Sequence, residues 1–349
     1  MELTQLYASL RRTLAQLDFN DLFPGFHPYP FALYTDENAC LDGQLLPRPQ
    51  EFYGNTAVLR GGRYIAIWNV DLDPPRDMDR FAAHMVHEMF HCHQFTCGET
   101  RFPEDLAILA CPVSAERFAA RHWEYSLLAD AFETADPRRL GQFAGLRALR
   151  RKMEPEAVVQ ELKTETAEGM AEFVGLKALH RLSPEQFTRE TASYARILRS
   201  EDGPLFDSRR MAYYTGALFF LTLERLGRPV VNDFRDPRTA YDQNPVDPEP
   251  VPEAVPCPAV AEAYRAFTRY REEELARHMA AAQYVPCSAV ITGYDPMNMF
   301  RVGDLLFCRH FVRLRENGRD RDVFSPIALR MAVDSPRACL LYTSPSPRD

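Results

Sequence analysis

The pattern of apolar and polar positions predicts a chain that is mainly helical. Apolar residues recur at the spacing of an amphipathic helix near the N-terminus and again through most of the middle of the chain. This periodicity predicts helices over residues 1–18, 113–136, 138–152, 155–182, 184–200, 207–226 and 259–283. Shorter β-rich runs predict strands over residues 30–34, 55–60, 63–70, 288–292 and 305–314. We therefore expect an α+β fold in which helices dominate.

One further helix, predicted over about residues 75–97, differs from the others because it is apolar on almost every side. A helix of that kind is buried. It follows a predicted β-hairpin, and Gly98 is expected to end it. Polar groups on a buried helix need partners, so its remaining polar stripe predicts a functional cluster. The stripe consists of His84, His87, Glu88 and His91.

The polar stripe contains the pentapeptide His87-Glu88-Met89-Phe90-His91, which has the pattern H-E-x-x-H. Residues four apart lie on one face of a helix, so His87 and His91 can bind one metal ion together. Glu88 then lies beside the open side of the metal, where its carboxylate can accept a proton from a bound water. The alternative is a structural pair of buried histidines.

A catalytic zinc site uses three protein ligands, so a second element must supply the third. The best candidates are Glu165, Glu168 and Glu172 in the helix predicted over 155–182. Their spacing of i, i+3 and i+7 is expected to place them on one helix face. Small residues beside them allow that helix to approach the first closely. The alternative is a solvated acidic face on an amphipathic helix.

These motifs resemble the gluzincin class of zinc metallopeptidases. In that class a glutamate ligand on a later helix follows H-E-x-x-H, often as Glu-Gly-x-Ala, and the segment Glu168-Gly-Met-Ala matches that pattern. The resemblance implies a zincin-like core with a small hairpin or sheet before the motif helix. It also implies Zn²⁺ bound by His87, His91 and Glu168, with Glu172 orienting a ligand histidine.

A third segment, Tyr213-Tyr-Thr-Gly-Ala, is similar to the Tyr-x-Lys-Gly-Ala segment of the aminopeptidase branch of that class. There the tyrosine stabilises the tetrahedral intermediate, which implies the same role for Tyr213, with Tyr214 as the alternative. The other interpretation is a tyrosine packed in an amphipathic helix. Thr215 replaces the family lysine, and the gap between His91 and Glu168 is far longer than in the family.

The resemblance implies a zinc-dependent peptidase in which Glu88 acts as general base and a peptide or protein is the substrate. Two alternatives remain: a catalytically inactive zincin-like module that binds a peptide or protein, and another hydrolytic reaction on the same zinc. An intact Glu88 favours an enzyme, because a binding module needs no base there. The strand 63–70 is expected either to hold an extended peptide at a sheet edge or to be an ordinary strand under the helix.

The composition and the charge of the chain exclude some classes of binding partner and indicate a cellular location. A net charge of −8 argues against nucleic acid and against an anionic membrane surface as partners. No apolar run is long enough to span a membrane, and the N-terminus lacks the features of a signal peptide. The eight cysteines form no paired spacing framework. These features predict reduced thiols and a cytoplasmic location.

The chain is expected to divide into a catalytic region, residues 1–227, a Pro-rich linker or surface loop, residues 228–258, and a C-terminal helix with a β-rich segment, residues 259–338. Residues 339–349 resemble a translated sequencing adaptor. We expect that last segment to be an assembly artefact without a structured role.

Overall fold

The computed structural model describes residues 2–251, 257–281, 283–332 and 338–344, and it describes the backbone alone for 281, 283–287 and 338–344. The fold is α+β, and about half of the chain is helical, as the periodicity predicts. None of the helices in the described ranges is both long and apolar enough to cross a membrane.

The helices are α1 (Leu3–Leu14), α2 (Phe19–Leu22), α3 (Met78–Thr96), α4 (Asp105–Ala110), α5 (Ala115–Thr134), α6 (Pro137–Met153), α7 (Pro155–Thr164), α8 (Met170–Leu182), α9 (Pro184–Leu198), α10 (Ser208–Arg225), α11 (Ala240–Gln243) and α12 (Pro258–Ala281). A π-helical turn, Glu165–Gly169, joins α7 to α8, and a 3₁₀ turn, Gly203–Phe206, precedes α10. The predicted long helices are confirmed to within a few residues at each end, except that the one predicted over 155–182 is divided by the π-helical turn.

The strands are β1 (Phe31–Tyr34), β2 (Asn38–Leu41), β3 (Gln44–Pro47), β4 (Thr56–Arg60), β5 (Arg63–Asn69), β6 (Gln283–Tyr294), β7 (Met299–Val302), β8 (Leu305–Cys308), β9 (Val312–Glu316), β10 (Arg319–Val323), β11 (Ile327–Met331) and β12 (Ala338–Ser344). They form an N-terminal sheet of order β3-β2-β1-β5-β4 and a C-terminal sheet of order β10-β9-β6-β12-β11-β8-β7. The run predicted as one strand over 305–314 is in fact two strands, β8 and β9.

The predicted hairpin is confirmed as β4 and β5, which pair antiparallel with Arg60 opposite Arg63. Gly61 and Gly62 form its turn at φ +58° and +77°. A two-residue hairpin turn of this kind needs two positive φ angles, which glycine adopts at little cost. Strand β5 also pairs in parallel with β1, and α3 packs against β5. The hairpin therefore fixes the sheet surface on which the motif helix lies.

Helix α3 begins at Met78 rather than at the predicted Pro75, because Asp77 caps it. The Asp77 carboxylate accepts the backbone N–H groups of Asp79 and Arg80, each at 3.0 Å. The helix ends at Thr96, and Gly98 follows at φ +79°, as expected of a C-terminal stop. Its apolar side chains are buried on several faces, as the pattern predicts.

The helix predicted over 155–182 is interrupted, because the π-helical turn separates α7 from α8. Two close approaches hold this region in place. A methyl group on Gly175 of α8 would lie 2.9 Å from the Ala83 carbonyl oxygen of α3. One on Gly169 would lie 2.8 Å from the Cα of Gly216 in α10. Since no larger residue fits without a shift, these glycines let α8 and the π turn contact their neighbours backbone to backbone.

Part of the Pro-rich segment 228–258 packs against the core. The Ala240 backbone N–H donates to Thr166 Oγ1 of the π turn at 2.9 Å. The Arg101 guanidinium donates to Asn232 Oδ1 at 2.7 Å and to the Arg238 carbonyl at 2.6 Å. Buried hydrogen bonds of this kind fix a segment in one conformation, so residues 231–244 cover the π turn.

The C-terminal helix and β-rich segment are confirmed as α12 and a seven-stranded sheet. Strand β12 lies between β6 and β11 and pairs with both. The expectation that residues 339–349 have no structured role is therefore wrong for the backbone of residues 339–344, which belong to β12. Residues 345–349, to which the same expectation applied, lie outside the described residues.

Candidate metal centre

Three side chains from α3 and the π turn converge on one point. His91 Nε2 lies 3.1 Å from His87 Nε2 and 3.1 Å from Glu168 Oε2. His87 Nε2 lies 3.6 Å from the same carboxylate oxygen. His87 is buried, and the other two side chains are nearly so. Two imidazole nitrogens and one carboxylate oxygen at such separations could hold a metal ion.

A second carboxylate fixes the orientation of His87. Glu172 Oε2 lies 2.9 Å from His87 Nδ1, and Glu172 Oε1 accepts the Tyr194 hydroxyl at 2.5 Å. An ionised carboxylate only accepts hydrogen bonds, so His87 Nδ1 carries the proton and Nε2 presents its lone pair to the centre. Sequence reasoning placed Glu172 in this role, but it gave no sign of Tyr194.

The second histidine is fixed by Gln94, a residue that sequence reasoning missed. Gln94 Oε1 lies 2.8 Å from His91 Nδ1. Its Nε2 donates to the Ala167 and Thr166 carbonyls of the π turn, at 2.9 and 3.3 Å. This fixes the amide with its oxygen toward His91, whose Nδ1 is then the donor. A buried glutamine three residues after a motif histidine was the available signal.

Glu88 lies within the same cluster and is buried. Burial raises the pKa of its carboxyl, His87 and His91 oppose that rise, and the nearby carboxylates of Glu168 and Glu172 add to it. A carboxyl whose pKa is shifted toward neutrality can both accept and return a proton. The position and the environment of Glu88 therefore suit a general base.

The charges around the two histidines favour a cation between them. Burial opposes protonation of both rings, but Glu168 and Glu172 raise the pKa of His87 well above its ordinary value. Burial likewise opposes the charge on Glu168, whose pKa the histidines nevertheless hold well below its ordinary value. Anionic oxygens and histidine lone pairs thus share one buried space, where either protons or a metal ion must balance them.

Arg209 of α10 is a further neighbour that the sequence patterns did not reveal. Its Nη2 donates to Glu168 Oε1 at 2.8 Å, on the side of the carboxylate away from the histidines. Its Nη1 donates to Asp105 of α4, which also accepts the Tyr294 hydroxyl at 3.3 Å. Arg209 therefore orients the third candidate ligand and links it to the C-terminal sheet.

Tyr213 lies beside the cluster, on α10. Its ring stacks on that of His87, with centroids 5.9 Å apart and planes 8° from parallel. Burial and then the charge of Glu168 raise its pKa, and the hydroxyl also interacts with the Glu168 carboxylate. Tyr214, the alternative, instead contacts the ring of Tyr194 at 4.5 Å. The structure thus brings Tyr213, rather than Tyr214, against the candidate ligands.

Glu165 does not share the face of Glu168 and Glu172, so that expectation is wrong. Its two oxygens accept Arg147 Nη2 and Nη1 at 2.8 and 2.7 Å, and Thr215 Oγ1 at 2.6 Å. Met170 N–H bonds to the Glu165 carbonyl, five residues back, which widens the turn and rotates Glu165 away from the histidines.

Strand β5, which covers the predicted strand 63–70, is not an edge strand of the N-terminal sheet. Strand β5 lies between β1 and β4, so both of its edges are paired. The expectation that residues 63–70 offer a free edge is therefore wrong. Strand β4 is the outer strand on that side of the sheet, and it too contacts α3.

A second group that could hold a metal consists of His122, Glu201 and Cys257. Its donor atoms are less available to a metal ion, because His122 Nδ1 already lies 3.1 Å from the Ser200 carbonyl oxygen and the Glu201 side chain is exposed. Exposed acidic groups often lie near other donors without binding a metal. The centre on α3 is the stronger candidate.

No family model, no curated protein and no solved structure matches this chain. The geometry and the chemistry of the side chains are thus the ground for a functional proposal.

Proposed function

We propose that this protein is a zinc-dependent peptidase of the gluzincin type, with His87, His91 and Glu168 as the metal ligands. The observation that carries the proposal is the convergence of three donor atoms from three side chains. Both imidazoles have their Nδ1 atoms bound to an acceptor, so both Nε2 lone pairs face the same buried space. That arrangement is unfavourable without a cation.

The donor set suits zinc. Two imidazole nitrogens with one carboxylate oxygen form a common set of protein ligands in catalytic zinc sites, which leave one position for water. Glu172 and Gln94 hold the ligand histidines from behind, as such sites require. A zinc ion bound there would lower the pKa of a water molecule and polarise the carbonyl of a substrate.

The other residues have distinct roles in the proposed reaction. Glu88 takes a proton from the attacking water and gives it to the leaving amine, for which its raised pKa is suited. Tyr213 donates a hydrogen bond to the oxyanion that develops on the carbonyl. Glu172, with Tyr194 behind it, keeps His87 in the tautomer that presents Nε2.

The position of the N-terminal sheet supports a peptide as the substrate. Strand β4 is an outer strand next to α3, and an extended peptide can pair with such a strand through main-chain hydrogen bonds. A sheet before the motif helix and a later helix that carries Glu168 also support a zincin-like core. A buried Glu88 beside the donors favours an enzyme over an inactive peptide-binding relative.

The test compares two substitutions in the full chain. Glu88→Gln is expected to keep zinc at the wild-type ratio and to lose turnover by roughly a thousandfold or more, since proton transfer by a positioned base contributes about 10²–10⁴-fold. His91→Ala is expected to lose both zinc and turnover. Zinc is measured by elemental analysis, and turnover with a fluorogenic peptide library. Glu185→Gln, on the exposed face of α9, is the control.

Continued peptide cleavage by Glu88→Gln would overturn the proposed mechanism. Zinc bound by His91→Ala as tightly as by the wild type would overturn the ligand assignment. Zinc binding without cleavage of any peptide in the library would favour the inactive module.

A further inference from the structure

A cavity of 670 Å³ lies next to the candidate metal centre, between the start of α10, helix α12 and the turn that joins β6 to β7. Its volume is within the usual range for pockets that bind small ligands, about 300–1,000 Å³. One wall is aromatic and contains Tyr264 and Phe267, and the opposite wall comes from the β6–β7 turn. The cavity thus adds α12 and the β6–β7 turn, which the proposed reaction does not use, to the start of α10.

The cavity is connected to the metal centre through shared residues. Arg209, which bonds to Glu168, also lines the cavity. Arg210 and Met297 line both this cavity and a second one of 260 Å³, whose wall includes Tyr213. The two cavities therefore adjoin, with Arg210 and Met297 between the space beside Tyr213 and the larger cavity.

Positive charge dominates the lining, which contains five arginines and three carboxylates. Most of the arginines are already engaged by protein groups. Arg209 pairs with Asp105 and Glu168, and Arg309 pairs with Glu274 at 2.7 Å. Arg210 pairs with Asp207 at 3.4 Å, and Arg301 donates to a backbone carbonyl.

Arg271 of α12 is different, because its guanidinium makes no hydrogen bond or ion pair with any residue that the structure describes. It is half-buried and lies over the rings of Phe267 and Phe300, 4.0 and 5.2 Å from their centroids. Burial lowers its pKa to about 10, so it stays charged at neutral pH. Asp207 and Glu274 act on Arg271 through their charge alone, so this largely buried cation has its hydrogen-bond donors free for an anion in the cavity.

We propose that this cavity binds a carboxylate of the peptide substrate and that Arg271 is the group that receives it, with Arg210 at the entrance. The inference rests on the proposed peptidase function and adds a substrate class to it: peptides that carry an acidic side chain, or a free C-terminus, on one side of the cleaved bond. A guanidinium matches a carboxylate in shape and can form two parallel hydrogen bonds to it.

The experiment measures binding rather than cleavage. The Glu88→Gln chain is titrated into fluorescein-labelled hexapeptides that differ only by Glu or Gln at one position, each with a free or an amidated C-terminus, and anisotropy is recorded. We expect the Glu peptide, or the free-acid peptide, to bind about tenfold more tightly than its neutral counterpart. The two pairs of peptides distinguish a side-chain carboxylate from a terminal one.

Arg271→Gln is expected to reduce that preference to less than about twofold, and Arg271→Lys to keep part of it. Arg319→Gln on β10 is the matched control, because it removes the same charge from an exposed arginine away from the cavity. Arg210→Gln, on a different helix, gives an independent measure if Arg271→Gln folds poorly. Arg210→Gln is expected to weaken the binding of acidic peptides more than the binding of neutral ones.

Equal affinity for acidic and neutral peptides in the parent chain would overturn the inference, as would a preference that survives Arg271→Gln. Either result leaves the peptidase proposal standing if the wild type cleaves neutral peptides. An acidic preference that depends on Arg271 in a chain whose wild type cleaves nothing supports the binding site and contradicts the peptidase.

Discussion

Two buried clusters of charged side chains lie on either side of the π-helical turn, and they differ in how their charges are balanced. One is the candidate metal centre on α3. The other, which we call the arginine cluster, joins α5, α6, α7 and the π turn. It consists of Arg121, Arg147, Arg150, Glu124, Glu154, Glu161 and Glu165.

In the arginine cluster every carboxylate meets a guanidinium donor. Arg147 donates to Glu165 at 2.7 and 2.8 Å and to Glu124 at 2.8 Å. Arg150 donates to Glu161 at 2.8 and 2.9 Å and also to Glu124. Each carboxylate thus faces a cationic donor, and the cluster needs no outside cation to balance its carboxylates.

In the candidate metal centre three atoms that can act as acceptors face one another. The two Nε2 atoms and the Glu168 oxygen lie within 3.6 Å of one another, and the Nδ1–H groups of both rings are directed away from them. Both clusters are largely buried, with side chains at most 5% exposed in the arginine cluster and 10–14% exposed for the three candidate ligands, so burial alone does not tell a structural cluster from a binding site. The orientation of donors and acceptors does, because the candidate metal centre brings two Nε2 atoms and a carboxylate oxygen together, and a proton or a metal ion must lie between them.

The largest effect should come from breaking the arginine cluster. Arg147→Leu leaves the Glu165 and Glu124 carboxylates buried without their main partner, which typically costs about 3–5 kcal/mol. We expect that loss in the free energy of unfolding, measured by urea denaturation. Arg138→Leu, exposed on the same helix, is the control and should change stability by less than about 0.5 kcal/mol.

The contrast between the two clusters would not hold if a substitution in the candidate metal centre cost as much stability as one in the arginine cluster. We expect His91→Ala, measured without zinc, to lose less than half as much stability as Arg147→Leu, since the replaced ring faces other acceptors. A loss as large as that of Arg147→Leu would make the histidine pair a structural cluster.

A smaller effect is expected at Gln94, which supports the metal centre from behind. Gln94→Leu removes the acceptor that fixes His91 Nδ1, so zinc affinity should fall by about 10–100-fold. Competition against a chromophoric zinc chelator measures this. Gln16→Leu, exposed beyond α1, should bind zinc as the wild type does. Unchanged affinity in a folded Gln94→Leu protein would show that the hydrogen bond to His91 has no part in metal binding.

The sequence predicted the part of the site that lies on one regular element. The four-residue spacing of His87 and His91 on a buried helix depends only on helix geometry, and α3 reproduces it. The helices and the first hairpin were predictable for the same reason, since their periodicity and turn glycines are local features.

The sequence did not predict the π turn, and its consequences were missed with it. A regular helix would have placed Glu165 on the face of Glu168. The widened turn instead directs Glu165 into the arginine cluster and Glu168 toward the two histidines. The turn is held by contacts distant in sequence, among them Gln94 to the Ala167 carbonyl and Gly169 against Gly216. No local pattern encodes such contacts, and the same is true of Arg209 and Arg271.

The smallest predicted effect concerns Thr215 of α10. Thr215 Oγ1 donates to Glu165 Oε1 at 2.6 Å, so this side chain faces the arginine cluster rather than the candidate metal centre. Thr215→Val removes this donor with little change in shape. A hydrogen bond to a charged group is typically worth about 1.5–3 kcal/mol, and we expect a loss near the lower figure at pH 8.

The pH dependence of that loss follows from the pKa of Glu165. Burial raises this pKa, while Arg147 and the Thr215 hydroxyl lower it. A raised pKa means that the contribution of Glu165 to stability is fully present below about pH 4.3 and is lost as the pH rises through the folded-state pKa. Thr215→Val raises that pKa further, so its cost should be larger at pH 8 than at pH 4.5. Urea denaturation at both pH values, with Thr188→Val on the exposed face of α9 as control, measures the difference. An equal cost at both would mean that Thr215 acts on the packing of α10 against the π turn and leaves the charge of Glu165 unaffected.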